Sequence, residues 1–238
     1  MHDLEKKYET SGVDRIEQYA AHIVSALFHP MFLPIVACFY IVVTHPSHFE
    51  AYDSRIFSIS LIIIFVLTCL FPLIALLVMK GLGIIKSIQL HERKDRIVPL
   101  IVAGSFLVWT FMTFKPINEA ASEATMLREN IFMHENLIAC MLLGVTLCLF
   151  TAFILNVFIK VSIHTASCGA AICLVLSTVQ SAEVNVSSFL VLIVLLSGMV
   201  GTARLVLKAH STREIYLGYF AGFVSMFIAF RFFHYYYS

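Results

Sequence analysis

Apolar residues fill this chain in long blocks, broken by short polar interruptions, and the block lengths set the expected architecture. A helix needs about twenty mostly apolar residues to cross the hydrocarbon of a bilayer, fewer where its ends are buried in protein. Seven stretches qualify: Ala21–Thr44, Phe57–Met79, Ile97–Phe114, Leu137–Ile159, Ile163–Val179, Ser188–Leu207 and Ile215–Phe233. The first contains His29-Pro30 and Pro34, which predict a kink or a short interfacial helix leading into the span. Pro72 predicts a kink in the second. The fifth is short, so its first turn is expected to be shielded by protein rather than lipid.

The interruptions are unequal. Residues Met1–Gln18 are polar and of mixed charge, without the basic-then-apolar layout of a cleavable signal peptide. Lys115–Asn136 is acidic, with Glu119, Glu123, Glu129 and Glu135, and is expected to form a short surface helix. Gly218 and Gly222 form a G-x-x-x-G in the last span, a spacing that allows close helix approach and says little about function. The expected fold is therefore all-α: a polytopic membrane bundle of six to seven transmembrane helices. Residues 1–20 form a polar N-terminal segment and 21–238 a single transmembrane domain.

Composition agrees with this pattern. The chain is 60% hydrophobic and only 13% charged, where a soluble domain carries roughly a quarter charged residues; its mean hydropathy is +0.89. A bilayer lets the surplus apolar side chains face outward. The expected location is the cell (inner) membrane, multi-pass, with the lipid bilayer as partner. The net charge of +1 gives no reason to propose nucleic acid. The six cysteines lie inside apolar runs, with no C-x-x-C pair, and read as small packing residues.

Seven spans put alternate linkers on opposite faces. One face collects Lys6, Lys7, Arg15, Lys80, Lys86, Arg93, Lys94, Arg96, Lys160, Arg204, Lys208 and Arg213, twelve of the sixteen basic residues. The positive-inside rule makes that face cytoplasmic. Eight of the twelve, however, belong to or adjoin three polar clusters; without those eight the tally is four against four, and charge no longer orients the bundle.

The clusters run from Lys86 to Pro99, from Lys160 to His164 and from Ala203 to Glu214, each at the junction of an apolar span. Ionisable groups there are costly unless paired or wetted. Together they offer guanidinium and ammonium groups, a hydroxyl and two imidazoles, an inventory that suits an oxyanion and phosphate above all. Arginine matches phosphate oxygens with a planar fork. Ser162 heads a helix, where its hydroxyl and free backbone amides can donate to an anion. One imidazole can attack phosphorus while another protonates the leaving oxygen, and arginines can stabilise the transition state without a metal.

In these residues the chain resembles the phosphatidic acid phosphatase type 2 superfamily of membrane lipid phosphatases. That family carries a Lys, six intervening residues and then Arg-Pro, a Pro-Ser-Gly-His, and a Ser-Arg with His and Asp at fixed spacings. Lys86 and Arg93 reproduce the first spacing, with Lys94 in place of proline; Ser162-Ile-His164 keeps the Ser and His of the second. Arg204, His210 and Glu214 keep the third, with Ala203 for Ser and Glu for Asp. Glu92–Leu100 resembles the Arg-rich first motif of a bacterial branch, and the likeness runs from His29-Pro30 to about Gly222.

The resemblance implies His210 as nucleophile, Glu214 as its orienting carboxylate and His164 as general acid. It implies Lys86, Arg93, Ser162 and Arg204 as phosphate-holding residues, with Arg96 as a rival for the first-motif arginine. The implied activity is metal-independent hydrolysis of a lipid phosphate or diphosphate through a phosphohistidine, with no cofactor. A degenerate relative that binds or transports an anionic lipid or small anion is the alternative.

Plainer readings compete at several positions. Lys80, Lys94 and Lys208 fit snorkelling at span ends. Ser211-Thr-Arg-Glu214 is a capping box that would start the last helix. The two roles of Glu214 are compatible, because it lies one helical turn beyond His210. His22, His29, His45, His48, His91, His134 and His234 read as structural, with His29 and His91 able to border a site. His134-Glu135 lacks the second histidine of H-E-x-x-H, and there is no phosphate-cradling Gly-rich loop or nucleophile elbow.

Overall fold

The computed structural model describes the backbone of residues 2–46, 54–85, 87, 94–114 and 125–237, and the side chains of 15–46, 58–85, 87, 95–114 and 137–235. Among these residues the chain is all-helical. Helix α1 (His2–Leu27) leads through a 3-10 turn at Pro30–Phe32 into α2 (Leu33–Thr44). Then come α3 (Ser54–Phe65), a π turn at Val66–Leu70 and α4 (Phe71–Gly81). A 3-10 turn at Lys94–Arg96 opens α5 (Ile97–Phe114), followed by α6 (Thr125–Phe158), α7 (Ile163–Ser177), α8 (Ser187–Val206) and α9 (Thr212–Tyr237). Six helical segments among the described residues are long and apolar enough to span a bilayer, with the shorter α7 beside them. The molecule is thus a polytopic helical membrane bundle.

Two of the expected breaks have clear causes. Pro30 has no N–H and its ring collides with the carbonyl four residues back, so α1 ends and a 3-10 turn begins. Pro72 is absorbed differently. One residue before it, the Phe71 N–H reaches back five residues to the Val66 carbonyl, and the π turn widens the helix ahead of the ring. The N-terminal segment is not set off by a break, since α1 runs straight through residue 20. Nor does the second half of the acidic linker stand alone: residues 125–136 are the opening turns of α6, while 115–124 lie outside the described residues.

The core forms where α2, α6, α7 and α9 meet, around Ile41, Met141, Leu142, Ala166, Ala170, Cys173 and Met226. All six cysteines are free and buried. Exposed apolar residues such as Val191, Leu195, Phe220 and Ile228 cover the outside, as expected for surfaces that meet lipid. Helix α7 is the buried exception: Thr165 through Ala170 are all inside the protein, so the shortest span is the one that protein shields.

The closest packing joins α7 to α9, and the glycines explain it. A Cβ on Gly222 would fall on the Ala166 carbonyl, and one on Gly218 would strike Thr165 Oγ1 and the Ser162 carbonyl. A Cβ on Gly169 of α7 would strike the Tyr219 carbonyl in return. Small residues on both helices thus bring the two backbones into contact. Thr165 Oγ1 then donates across the seam to the Ile215 carbonyl at 3.0 Å, and Ser162 N–H to the Glu214 carbonyl at 3.4 Å. This seam brings the first turns of α7 and α9 together, and with them the second and third polar clusters.

Candidate functional site

His210 lies in the loop between α8 and α9, and the end of α8 fixes where it sits. Ala209 N–H bonds back to the Arg204 carbonyl at 3.1 Å and Lys208 N–H to the Leu205 carbonyl at 2.8 Å. This paired pattern is the Schellman motif, which requires a left-handed residue just past the helix end. Lys208 takes that position with φ 49°. The motif ties the loop to Arg204, which accounts for the short, fixed spacing from Arg204 to His210. Lys160 Nζ holds the same loop from the side, donating to the Ala209 carbonyl at 2.8 Å.

The α9 start supplies the carboxylate. Glu214 N–H donates to Ser211 Oγ and Ser211 N–H donates to Glu214 Oε2, both at 3.4 Å, so the capping box is formed. The same Oε2 accepts from His210 Nδ1 at 2.8 Å. The capping and orienting geometries therefore coexist in one side chain. A carboxylate fixes the His210 proton on Nδ1 and leaves the Nε2 lone pair open.

His210 is only 7% exposed. Its pKa is lowered from 6.5 to about 4, first by burial, with the Glu214 hydrogen bond opposing and Arg96, Arg204 and Lys160 adding repulsion. At neutral pH the imidazole is thus unprotonated and nucleophilic. Arg96, 8% exposed, lies at the start of α5; burial lowers its pKa and the Glu214 carboxylate opposes that. These couplings bring the first, second and third clusters to one place.

The remaining residues divide in two groups. Ser162 is wholly buried as the N-cap of α7 and accepts from Thr165 N–H at 3.4 Å, which leaves its hydroxyl hydrogen available to donate. His164, half-buried on the first turn of α7, lies in electrostatic range of Arg204, His29 and His210. Arg204 donates from Nη1 to Ser25 Oγ at 3.2 Å, while its buried Nε has no hydrogen-bond partner among the described residues. Lys86 and Arg93 lie outside the described residues, so among the described residues Arg96 is the first-cluster guanidinium at the site.

The chain matches no protein-family model, no curated protein and no solved structure.

Sequence reasoning gave no place to Ser25 and no role to Lys160. Ser25 had no signal of its own, being one serine in an apolar run four residues before His29. Lys160 sits two residues before Ser162 and reads equally as a snorkelling cation; its bond to the Ala209 carbonyl depends on tertiary packing. His29 does border the site, with its ring edge-on to His164 at a centroid distance of 5.3 Å.

Proposed function

We propose that this protein is a metal-independent membrane phosphatase acting on a lipid phosphate or diphosphate through a phospho-His210 intermediate. One observation carries the reading. A buried, unprotonated imidazole, held by a carboxylate on one nitrogen and open on the other, lies in electrostatic range of Arg96, Arg204 and Lys160. Three cations around a neutral nucleophile suit a polyanionic electrophile, and the unpartnered Arg204 Nε is a donor that a phosphate oxygen would satisfy.

In this reading His210 Nε2 attacks phosphorus, forming the P–N bond as the P–O bond to the lipid breaks. His164 relays the proton of the monoanionic substrate phosphate to the departing oxygen and is neutral before and after. It then takes a proton from water; the hydroxide attacks phosphorus, the P–N bond breaks, and phosphate leaves with that proton. Glu214 supports the positive charge that His210 carries while phosphorylated, and Arg96, Arg204 and Lys160 offset the charge spread over the phosphoryl oxygens.

The test is purified protein in detergent, incubated with a panel of lipid monophosphates and a polyprenyl diphosphate. Phosphate release, inhibition by vanadate and an acid-labile phosphoprotein after quenching are expected. Saturable binding of these lipids without any release would replace the phosphatase with an anionic-lipid binder. Neither binding nor release would end both readings.

A further inference from the structure

The break in the first helix is built into the same site. We infer that Ser25 and the His29-Pro30 break act as positioning residues, which fix the proton of His164 on Nε2 so that Nδ1 is the atom that exchanges protons with substrate. This rests on the phosphatase reading for its functional part, and on hydrogen-bond geometry for the rest.

The argument starts from the end of α1. The last four carbonyls of any helix have no partner within it. Here the backbone ladder stops at the bond from Phe28 N–H to the Val24 carbonyl, because Pro30 ends the helix. The Ser25 carbonyl is thereby released, and His164 Nε2 meets it at 3.1 Å. A carbonyl can only accept, so Nε2 must be the protonated nitrogen of His164. A neutral imidazole has a single N–H, which leaves the lone pair on Nδ1.

Three further contacts hold this arrangement. The hydroxyl of Ser25, which is 8% exposed, accepts from Arg204 Nη1 at 3.2 Å, so one residue orients both His164 and Arg204. His29 Nδ1 accepts from Met31 N–H at 3.3 Å and caps the 3-10 turn, which fixes the ring that lies edge-on to His164. The negative end of the α1 dipole also points its free carbonyls toward the side of the site that carries Arg204. The proline break, which reads from sequence as a kink in a span, thus supplies an acceptor to a proton-transfer residue on another helix.

The experiment is histidine 15N NMR of the detergent-solubilised full chain, with His164 assigned by loss of its signals in His164→Gln. In the wild type, Nε2 should give the protonated-type resonance and Nδ1 the lone-pair type. In Pro30→Ala the helix can continue, His29 N–H competes for the Ser25 carbonyl, and the His164 pattern should become mixed. With turnover, Pro30→Ala should lower kcat tenfold or more with KM within about threefold, while Ser25→Ala should mainly raise KM. A wild-type His164 protonated on Nδ1 overturns the inference whatever the activity. So does an active Pro30→Ala with unchanged kcat. The expected NMR pattern in a protein that hydrolyses no lipid phosphate supports the clamp and overturns the phosphatase reading instead.

Discussion

Two buried histidines, one at each end of the bundle, show how the same side chain is used in opposite ways. His45, fully buried at the end of α2, has both ring nitrogens committed. Nδ1 meets Thr44 Oγ1 at 2.9 Å and the Ile41 carbonyl at 3.2 Å, and Nε2 meets Ser181 Oγ at 3.1 Å. It ties α2 to the turn after α7, where Glu183 N–H also bonds the Thr44 carbonyl at 2.8 Å. His210 is nearly as buried, yet among the described residues only Nδ1 has a hydrogen-bond partner. Burial alone therefore does not tell the two apart. What sets the proposed nucleophile apart is the position of its ring among Arg96, Arg204 and Lys160.

Exchanging each histidine should separate chemistry from stability. His210→Ala should lower kcat by at least about 10³-fold, because the proposed covalent intermediate can no longer form on this residue. Phosphate release from the best lipid substrate measures this, and unchanged turnover would eliminate the mechanism. Arg204→Lys keeps the charge but loses the planar fork, and kcat/KM should fall by about 100-fold, with vanadate binding weakened in parallel. His45→Ala should do the reverse: turnover survives while the midpoint of thermal unfolding in detergent drops, for a loss of about 2–4 kcal/mol from the cavity and stranded hydroxyls. If His45→Ala abolished turnover at a temperature where it remains folded, the contrast between the two ends would collapse.

The charge around His210 gives the comparison a pH axis. Its pKa is lowered to about 4 in the folded protein, against about 6.5 for an ordinary histidine. The nucleophile must be unprotonated, so activity is lost only as the pH falls toward 4, not at 6.5. An NMR titration of the His210 resonance should show its midpoint there. Arg96 contributes repulsion to that shift; Arg96→Gln should therefore move the midpoint and the acid limb upward. A midpoint at 6.5 in the wild type would mean that the imidazole is neither buried nor crowded by cations.

Much of this was legible in the sequence because membrane solvation writes itself into block lengths. The spans ending at Thr44 and Phe114 match their helix ends, and the expected shielding of the fifth span follows from its fifteen residues. The third cluster was also legible, since Arg204, His210 and Glu214 lie close in sequence and local rules, a Schellman motif and a capping box, set their geometry. What escaped depends on contacts between distant segments. Ser25 meets Arg204 across 179 positions and His164 across 139, and no local pattern marks a serine for that. The nearness of Arg96 to Glu214 likewise arises from how α5 packs, which no local pattern marks.

The smallest expected effect tests whether the loop that carries His210 is set by backbone strain. Lys208 holds a left-handed conformation at φ 49°, where a side chain is disfavoured by roughly 1–2 kcal/mol relative to glycine. Its side chain is exposed, and the motif it closes uses only backbone atoms. Lys208→Gly should therefore raise stability by up to about 1 kcal/mol, part of the gain being offset by the greater freedom of glycine in the unfolded chain. Turnover should stay within about twofold, since the bonds from Ala209 to Arg204 and from Lys160 to Ala209 remain. Thermal unfolding and steady-state kinetics on one preparation check both. A large loss of turnover with stability intact would move Lys208 from the backbone of the site into its phosphate-binding set, and the His210 loop would then be held by its charge rather than by its fold.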